Sequence, residues 1–151
     1  MSTTSFGSSL LQTSDMPQSA PGSIRETEDH AEAYVYVKNN TGSALAAGEL
    51  VVSGQNGSNV PREAATSLAA TGSPRTLVLG GAEFAVPAGY WFWAKKRGTF
   101  VGIRDVSATA GSAAIAADDG KVNNAASPQT AGTVIGHFVA DGATPTLWLD
   151  L

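Results

Sequence analysis

The sequence predicts an all-β protein, a compact β-sandwich or β-barrel-like domain preceded by an extended N-terminal arm. The first observation is a series of short runs rich in β-branched and aromatic residues. The second is that Gly, Pro, Asn and Asp residues close most of these runs, which is the turn chemistry of sandwiches and barrels. The third is the length, because 151 residues correspond to one domain.

The N-terminal arm, residues 1–32, differs in composition from the rest of the chain. It is rich in Ser and Thr, and its ionisable residues sum to −4, which equals the net charge of the whole chain. Such a segment buries too little apolar surface to offset its own ordering entropy. We therefore expect a neighbouring chain to order it, with Phe6, Leu10 and Leu11 as anchors, and deletion of residues 1–23 to leave the β domain folded. The alternative is that the arm folds back on its own domain.

The β domain, residues 33–151, contains the predicted strands. They cover residues 33–38, 49–53, 76–79, 82–86, 90–95, 99–104, 133–139 and 146–149.

Two pairs of these strands predict hairpins. Lys96, Arg97 and Gly98 are interpreted as the turn of the first hairpin, because a glycine follows two basic residues between two apolar runs. The run 140–145 connects the strands of the second hairpin. Two stretches fit less well: 62–70 favours one or two helical turns, and 107–117 is compatible with either strand or loop.

No combination of residues indicates catalysis, so we expect a protein that is not an enzyme and that binds neither a cofactor nor a metal. The chain has no Cys, and His30 and His137 lack the spacing of a metal-binding pair. His137 is expected to be packed or at an interface, sharing one strand face with Ile135 and Val139. The pair Asp118–Asp119 precedes a glycine without the calcium-loop pattern and predicts a turn.

Charge and hydropathy limit the partners. Charged residues make up 15% of the chain and the net charge is −4, so we expect no nucleic-acid partner. The most apolar run, 90–94, is far shorter than the roughly 20 residues that a membrane-spanning helix needs, and we expect no membrane partner.

The strongest local signal is a run of four aromatic residues followed by basic residues. Strand alternation places Tyr90 and Phe92 on one face and Trp91 and Trp93 on the other, so both faces need cover. Because one thin domain is expected to cover one face only, we expect the other face to meet a second subunit. Sugar stacking or single-stranded nucleic acid are the functional alternatives. The residues predicted here to contact a partner are Tyr90, Trp91, Phe92, Trp93, Lys95, Lys96 and Arg97.

The β domain resembles the tailed-phage head decoration proteins, also called capsid cement proteins. The resemblance is carried by an aromatic strand that leads into a glycine turn, a small-residue segment, a V-[IV]-G strand and a short apolar terminal strand. These features lie at residues 89–98, in an Ala-rich link that ends with 118–122, at 131–138 and at 147–151, and the first strands at 35–42 and 46–51 are also similar.

This resemblance implies a non-enzymatic virion protein that binds the major capsid protein on the outer capsid surface, stabilises the shell and forms a homo-oligomer, a trimer being favoured. The acidic residues of the arm are then expected to lie near basic residues of the partner, or near Lys95, Lys96 and Arg97 of a sister subunit. Three alternatives stay open: a tail, baseplate or fibre structural module, a carbohydrate-binding module that uses Trp91 and Trp93, and a small hydrolase.

Overall fold

The protein is all-β, and its strands form one curled, mainly antiparallel sheet with the shape of a half-barrel. The computed structural model describes residues 10, 12–53, 64–126 and 132–151. The strands are β1 (Ile24–Glu26), β2 (Ala33–Asn39), β3 (Leu50–Val52), β4 (Ala64–Ala65), β5 (Ser67–Leu68), β6 (Val78–Gly81), β7 (Trp91–Val101), β8 (Ala113–Ala116), β9 (Val122–Asn124), β10 (Val134–Phe138) and β11 (Thr146–Asp150).

Strand β7 is the central element of the sheet. From Trp91 to Arg97 it pairs antiparallel with β2, and from Arg97 to Val101 it pairs antiparallel with β11. Strands β10, β8 and β9 continue the sheet beyond β11, while β6, β3 and β5 continue it on the other side. One long strand therefore connects the two halves of the molecule.

Two apolar clusters fill the inside of the curled sheet. The first half of β7 contributes Phe92 and Ala94 to a cluster with Val35 and Val37 of β2. The second half contributes Phe100 to a cluster with β3 and with the buried faces of β8, β10 and β11. Strand β7 thus supplies side chains to both halves of the core.

The predicted hairpin at Lys96, Arg97 and Gly98 is wrong, because β7 runs through this position without turning. Tyr34 pairs with Lys95 and Ala33 pairs with Arg97, which leaves Lys96 as an extra residue in β7. The basic residues and the glycine therefore mark a β-bulge, which adds twist to a continuous strand.

Two further local predictions are also wrong. Residues 82–86 form no strand, and only an isolated bridge joins Val86 to Leu45. The helical alternative for 62–70 fails in its described part, where β4 and β5 pair with β2 and β3. For 107–117, the strand alternative applies to β8 alone.

The predicted C-terminal hairpin is confirmed, since β10 and β11 pair antiparallel. The face assigned to His137 needs a correction. A register shift between Val134 and Gly136 interrupts the alternation, so Ile135 is buried while His137 is exposed. No helix in the described ranges is long and apolar enough to cross a membrane.

Candidate partner-binding site

The described part of the N-terminal arm lies on the chain's own sheet. Strand β1 pairs antiparallel with β2, and Ile24 lies opposite Val35. Farther back, Ser14 and Trp91 exchange two backbone hydrogen bonds of 3.1 and 2.7 Å. From residue 12 onward the arm therefore adopts the fold-back arrangement that the sequence left open as the alternative.

An aromatic cluster lies under this arm, on the outer face of β2 and β7. The Tyr36 ring stacks on Trp91 at 5.6 Å between centroids and meets Trp93 at 4.9 Å. The backbone amide of Gln18 donates a hydrogen bond of 3.1 Å to the Tyr36 hydroxyl. Tyr36 and Trp93 are 0% and 3% exposed, so arm and sheet together bury them.

The predicted distribution of the aromatic run between two strand faces is confirmed. Phe92 lies in the inner core with Tyr90 packed against it, whereas Trp91 and Trp93 belong to the outer aromatic cluster. The chain itself covers both faces, so the reason given above for a subunit contact at these rings does not hold. Trp93 also offers no free ring face for sugar stacking, because it is buried.

Lys95 is a buried cation that joins three segments of the chain. Its Nζ donates to Glu32 Oε1 at 3.0 Å, to Glu83 Oε1 at 2.9 Å and to the Thr99 carbonyl at 2.7 Å. The Tyr34 hydroxyl donates to the other Glu32 oxygen at 2.9 Å. Burial and the two neighbouring carboxylates raise the pKa of Tyr34 above its usual range. Lys95 is therefore a structural connector, with its three amine donors all used inside the chain.

Arg97 holds the tip of the β1–β2 connection. Its guanidinium lies 3.3 Å from Glu26 Oε1 and donates a 2.8 Å hydrogen bond to the His30 carbonyl. The imidazole of His30 lies 2.8 Å from the other Glu26 oxygen. The hydrogen bonds from His30 and then from Arg97 hold the pKa of Glu26 below its ordinary value. The acidic arm thus pairs with the basic residues of its own chain.

The remaining predicted contact residues fall in different places. Leu10 is half-buried and packs against the aromatic cluster, and the Lys96 carbonyl accepts a 2.9 Å hydrogen bond from the Leu151 amide. Phe6 and Leu11 lie outside the described residues. The described part of the arm instead presents two exposed large apolar side chains, Met16 at 64% and Ile24 at 58%.

Sequence reasoning missed a second surface, the outer face of β7, β11 and β10. Trp148 lies there between its cross-strand neighbours Thr99 and His137. An open groove of about 380 Å³ beside it is lined by Arg75, Val134, Gly136, His137, Trp148 and Asp150. Alternation in the terminal strand contains a signal for this, since buried Leu147 and Leu149 place Trp148 on the opposite face.

The acidic turn is confirmed as a turn. Asp118, Asp119 and Gly120 form a single-turn 3-10 helix, and Asp119 has a left-handed φ of 56°. The Thr71 amide donates to the Asp118 carboxylate at 2.9 Å, which lowers the pKa of Asp118. This carboxylate connects the turn to the segment after β5.

Comparison with known proteins gives one fold similarity. No protein-family model and no curated protein matches the sequence. The chain is similar in fold to the N base of the head fiber gp8.5 of bacteriophage phi29, with a TM-score of 0.51 and 16% sequence identity. The matched region covers 78% of this chain and 94% of that chain. The two chains therefore share a fold.

Proposed function

We propose that this chain is a non-catalytic structural protein of a bacteriophage virion that binds the outer surface of the capsid and stabilises the shell. The observation that carries the proposal is the fold similarity to the N base of a phage head fiber, of which 94% is covered. The resemblance of residues 33–151 to head decoration proteins supports the same location on the virion.

The partner in this proposal is the major capsid protein, and the arm supplies the contact. Met16 and Ile24 both lie in the arm, and more than half of each residue is exposed. Exposed large apolar side chains are frequent at protein contacts. The ion pairs of Glu26 and Glu32 are already made inside the chain, so apolar contacts supply most of the affinity.

Purified head shells of the same phage, stripped of accessory proteins, provide the test. The full chain is expected to bind them and to raise the temperature at which the shells open. Ile24→Thr is expected to weaken binding about tenfold, because it removes exposed apolar surface while keeping a β-branched residue in β1. Val106→Thr is the matched control at another exposed position, 74% accessible, and is expected to bind normally. Absence of binding by the unaltered chain would overturn the proposal.

The proposed assembly state is a homo-oligomer, with a trimer favoured by the resemblance to decoration proteins. Multi-angle light scattering of the full chain at micromolar concentration tests it. A mass of three chains is the expected result, and a mass of 15.3 kDa, that of one chain, would contradict it.

A second candidate function is the attachment base of a head fiber. The specific observation in its favour is that the similar structure is itself the base of a fiber. Cryo-electron microscopy of virions separates the two, because a cement protein ends close to the shell whereas a fiber base continues into an extended stalk.

A further inference from the structure

The groove beside Trp148 combines an aromatic ring with polar groups of both charges. Trp148 lies opposite His137 of β10 and Thr99 of β7. Asp150 follows on the same face of β11, and Arg75 faces it with 3.8 Å between the guanidinium nitrogen and the carboxylate oxygen. The side chains of Arg75 and Asp150 are 44% and 63% exposed, so both remain accessible to a ligand.

The backbone around the groove fixes these side chains. The Arg75 amide donates a 2.7 Å hydrogen bond to the Gly132 carbonyl, which holds Arg75 beside the start of β10. Gly136 lies against the Trp148 carbonyl oxygen, and a Cβ at Gly136 would collide with that oxygen. The wall at this point is therefore bare backbone. His137, Trp148 and Asp150 lie on strands, and strands hold side chains more precisely than loops do.

Two side chains at the groove, Trp148 and His137, have polar groups available to a ligand. In the described ranges, neither the Trp148 indole N–H nor the His137 ring makes a side-chain hydrogen bond. Indole donates, imidazole both donates and accepts, guanidinium donates and carboxylate accepts. A ligand in this groove therefore meets donors and acceptors around one apolar ring face.

We propose that this groove binds a neutral saccharide. A sugar ring has an apolar C–H face that suits the negative face of an aromatic ring, and hydroxyls on its edge that both donate and accept. An anionic ligand would face the Asp150 carboxylate, and a cationic ligand would face Arg75, so the mixed charge of the groove favours a neutral one. Its volume, about 380 Å³, is at the lower end of the range for small-ligand sites. The proposal is independent of capsid binding.

The test begins with an array of neutral glycans probed with the full chain. Each glycan that binds is then titrated into the ¹⁵N-labelled chain, up to about 10 mM, where a ligand with a Kd of about 1 mM fills most sites. Three tryptophan indole signals serve as internal reporters, from Trp91, Trp93 and Trp148. The Trp148 indole and the Gly136 amide are expected to shift, while the Trp91 and Trp93 indoles stay in place.

Matched variants test the polar groups without touching the core. Arg75→Gln and Asp150→Asn are each expected to raise the Kd about tenfold, as loss of a hydrogen bond to a charged group does. Arg104→Gln and Asp15→Asn, at other exposed positions, are expected to leave the Kd unchanged. The proposal is overturned if no neutral glycan binds, if the shifts lie outside the groove, or if anionic glycans bind more tightly than neutral ones.

Discussion

At the scale of single residues, Lys95 is a buried cation whose amine binds Glu32, Glu83 and the Thr99 carbonyl. Removing its charge as Lys95→Met leaves the Glu32 and Glu83 carboxylates facing each other without a cation. Breaking a buried ion pair from one side costs about 3–5 kcal/mol, and the partial exposure of both carboxylates reduces this. We expect a loss of about 2–3 kcal/mol in the free energy of unfolding, measured by urea titration.

Lys121→Met is the control for this prediction. Its Nζ lies 4.0 Å from Asp105 Oδ1 on the surface, and exposed ion pairs contribute about 0–1 kcal/mol. Equal losses for the two variants would show that Lys95 has no special role.

The lowered pKa of Glu26 predicts that acid reduces the stability of the protein at the β1–β2 connection. The folded pKa of Glu26 lies below the ordinary value of 4.5 because His30 and Arg97 donate to its carboxylate. The resulting stabilisation is present above about pH 4.5 and is lost as the pH falls through the lowered folded value. Urea midpoints measured from neutral to acid pH should therefore fall less steeply in Glu26→Gln than in the unaltered chain. Glu28→Gln, on the same connection, should keep the unaltered slope.

The aromatic residues of β7 show which structural properties can be predicted from local sequence and which cannot. Alternation correctly assigns Phe92 and Trp93 to opposite faces, because a strand has a period of two whatever covers it. Local sequence does not predict which segment covers each face. Leu10 and Ser14 contact the aromatic cluster of β2 and β7 from some 80 positions away in sequence. The groove at Trp148 also depends on a long-range contact, because Arg75 is distant in sequence from the β10–β11 hairpin.

At the scale of elements, the bulge in β7 explains why a hairpin was predicted there. A glycine after basic residues is common both in turns and in bulges, and local sequence does not separate the two. Pairing decides, because β2 and β11 hold the two halves of β7 in one line. Strands with clear alternation, such as β2 and β11, were predictable from sequence, whereas β4 and β5 are too short to give a pattern.

Gly98 provides a test of the bulge. Its φ is +115°, and a Cβ would lie 2.9 Å from Glu32 Cγ, which is held in place through Lys95. Gly142 has a nearly equal φ of +119° with no atom within 4 Å of a Cβ. Gly142→Ala is expected to cost about 1 kcal/mol from backbone strain alone. Gly98→Ala is expected to cost about 1–2 kcal/mol more, measured by thermal or urea unfolding. Equal costs would mean that Glu32 moves freely.

At the scale of the whole molecule, the described part of the arm packs on the sheet of the β domain. The composition of residues 1–32 predicts a segment without a core of its own. It does not reveal that the aromatic face of β2 and β7 supplies the missing partner. Within one chain, Glu26 and Glu32 of the arm pair with Arg97 and Lys95. Another part of the arm covers the aromatic face of β2 and β7.

This arrangement changes the expected effect of deleting residues 1–23, which the sequence alone predicted to leave the domain folded. The deletion removes the Ser14–Trp91 bridge and the two hydrogen bonds of 2.8 and 2.9 Å that join Gly22 and Ser23 to Tyr36. It also uncovers Tyr36 and Trp93, and burial of a large side chain contributes about 1.5–3 kcal/mol. We expect a loss of at least about 3 kcal/mol and a red shift of tryptophan fluorescence in the native state.

Deletion of residues 1–9 is the control that separates two roles of the arm, covering the aromatic cluster and binding the shell. It retains Leu10, Ser14 and the contacts of the aromatic cluster described above, and shell binding is compared only if its urea unfolding matches that of the full chain. Shell binding by this shorter deletion then reports on Phe6 and its neighbours without a folding defect. If residues 1–9 contain the anchor, binding falls while stability is unchanged. If the longer deletion unfolds at the same urea concentration as the full chain, the arm does not cover the aromatic face in solution.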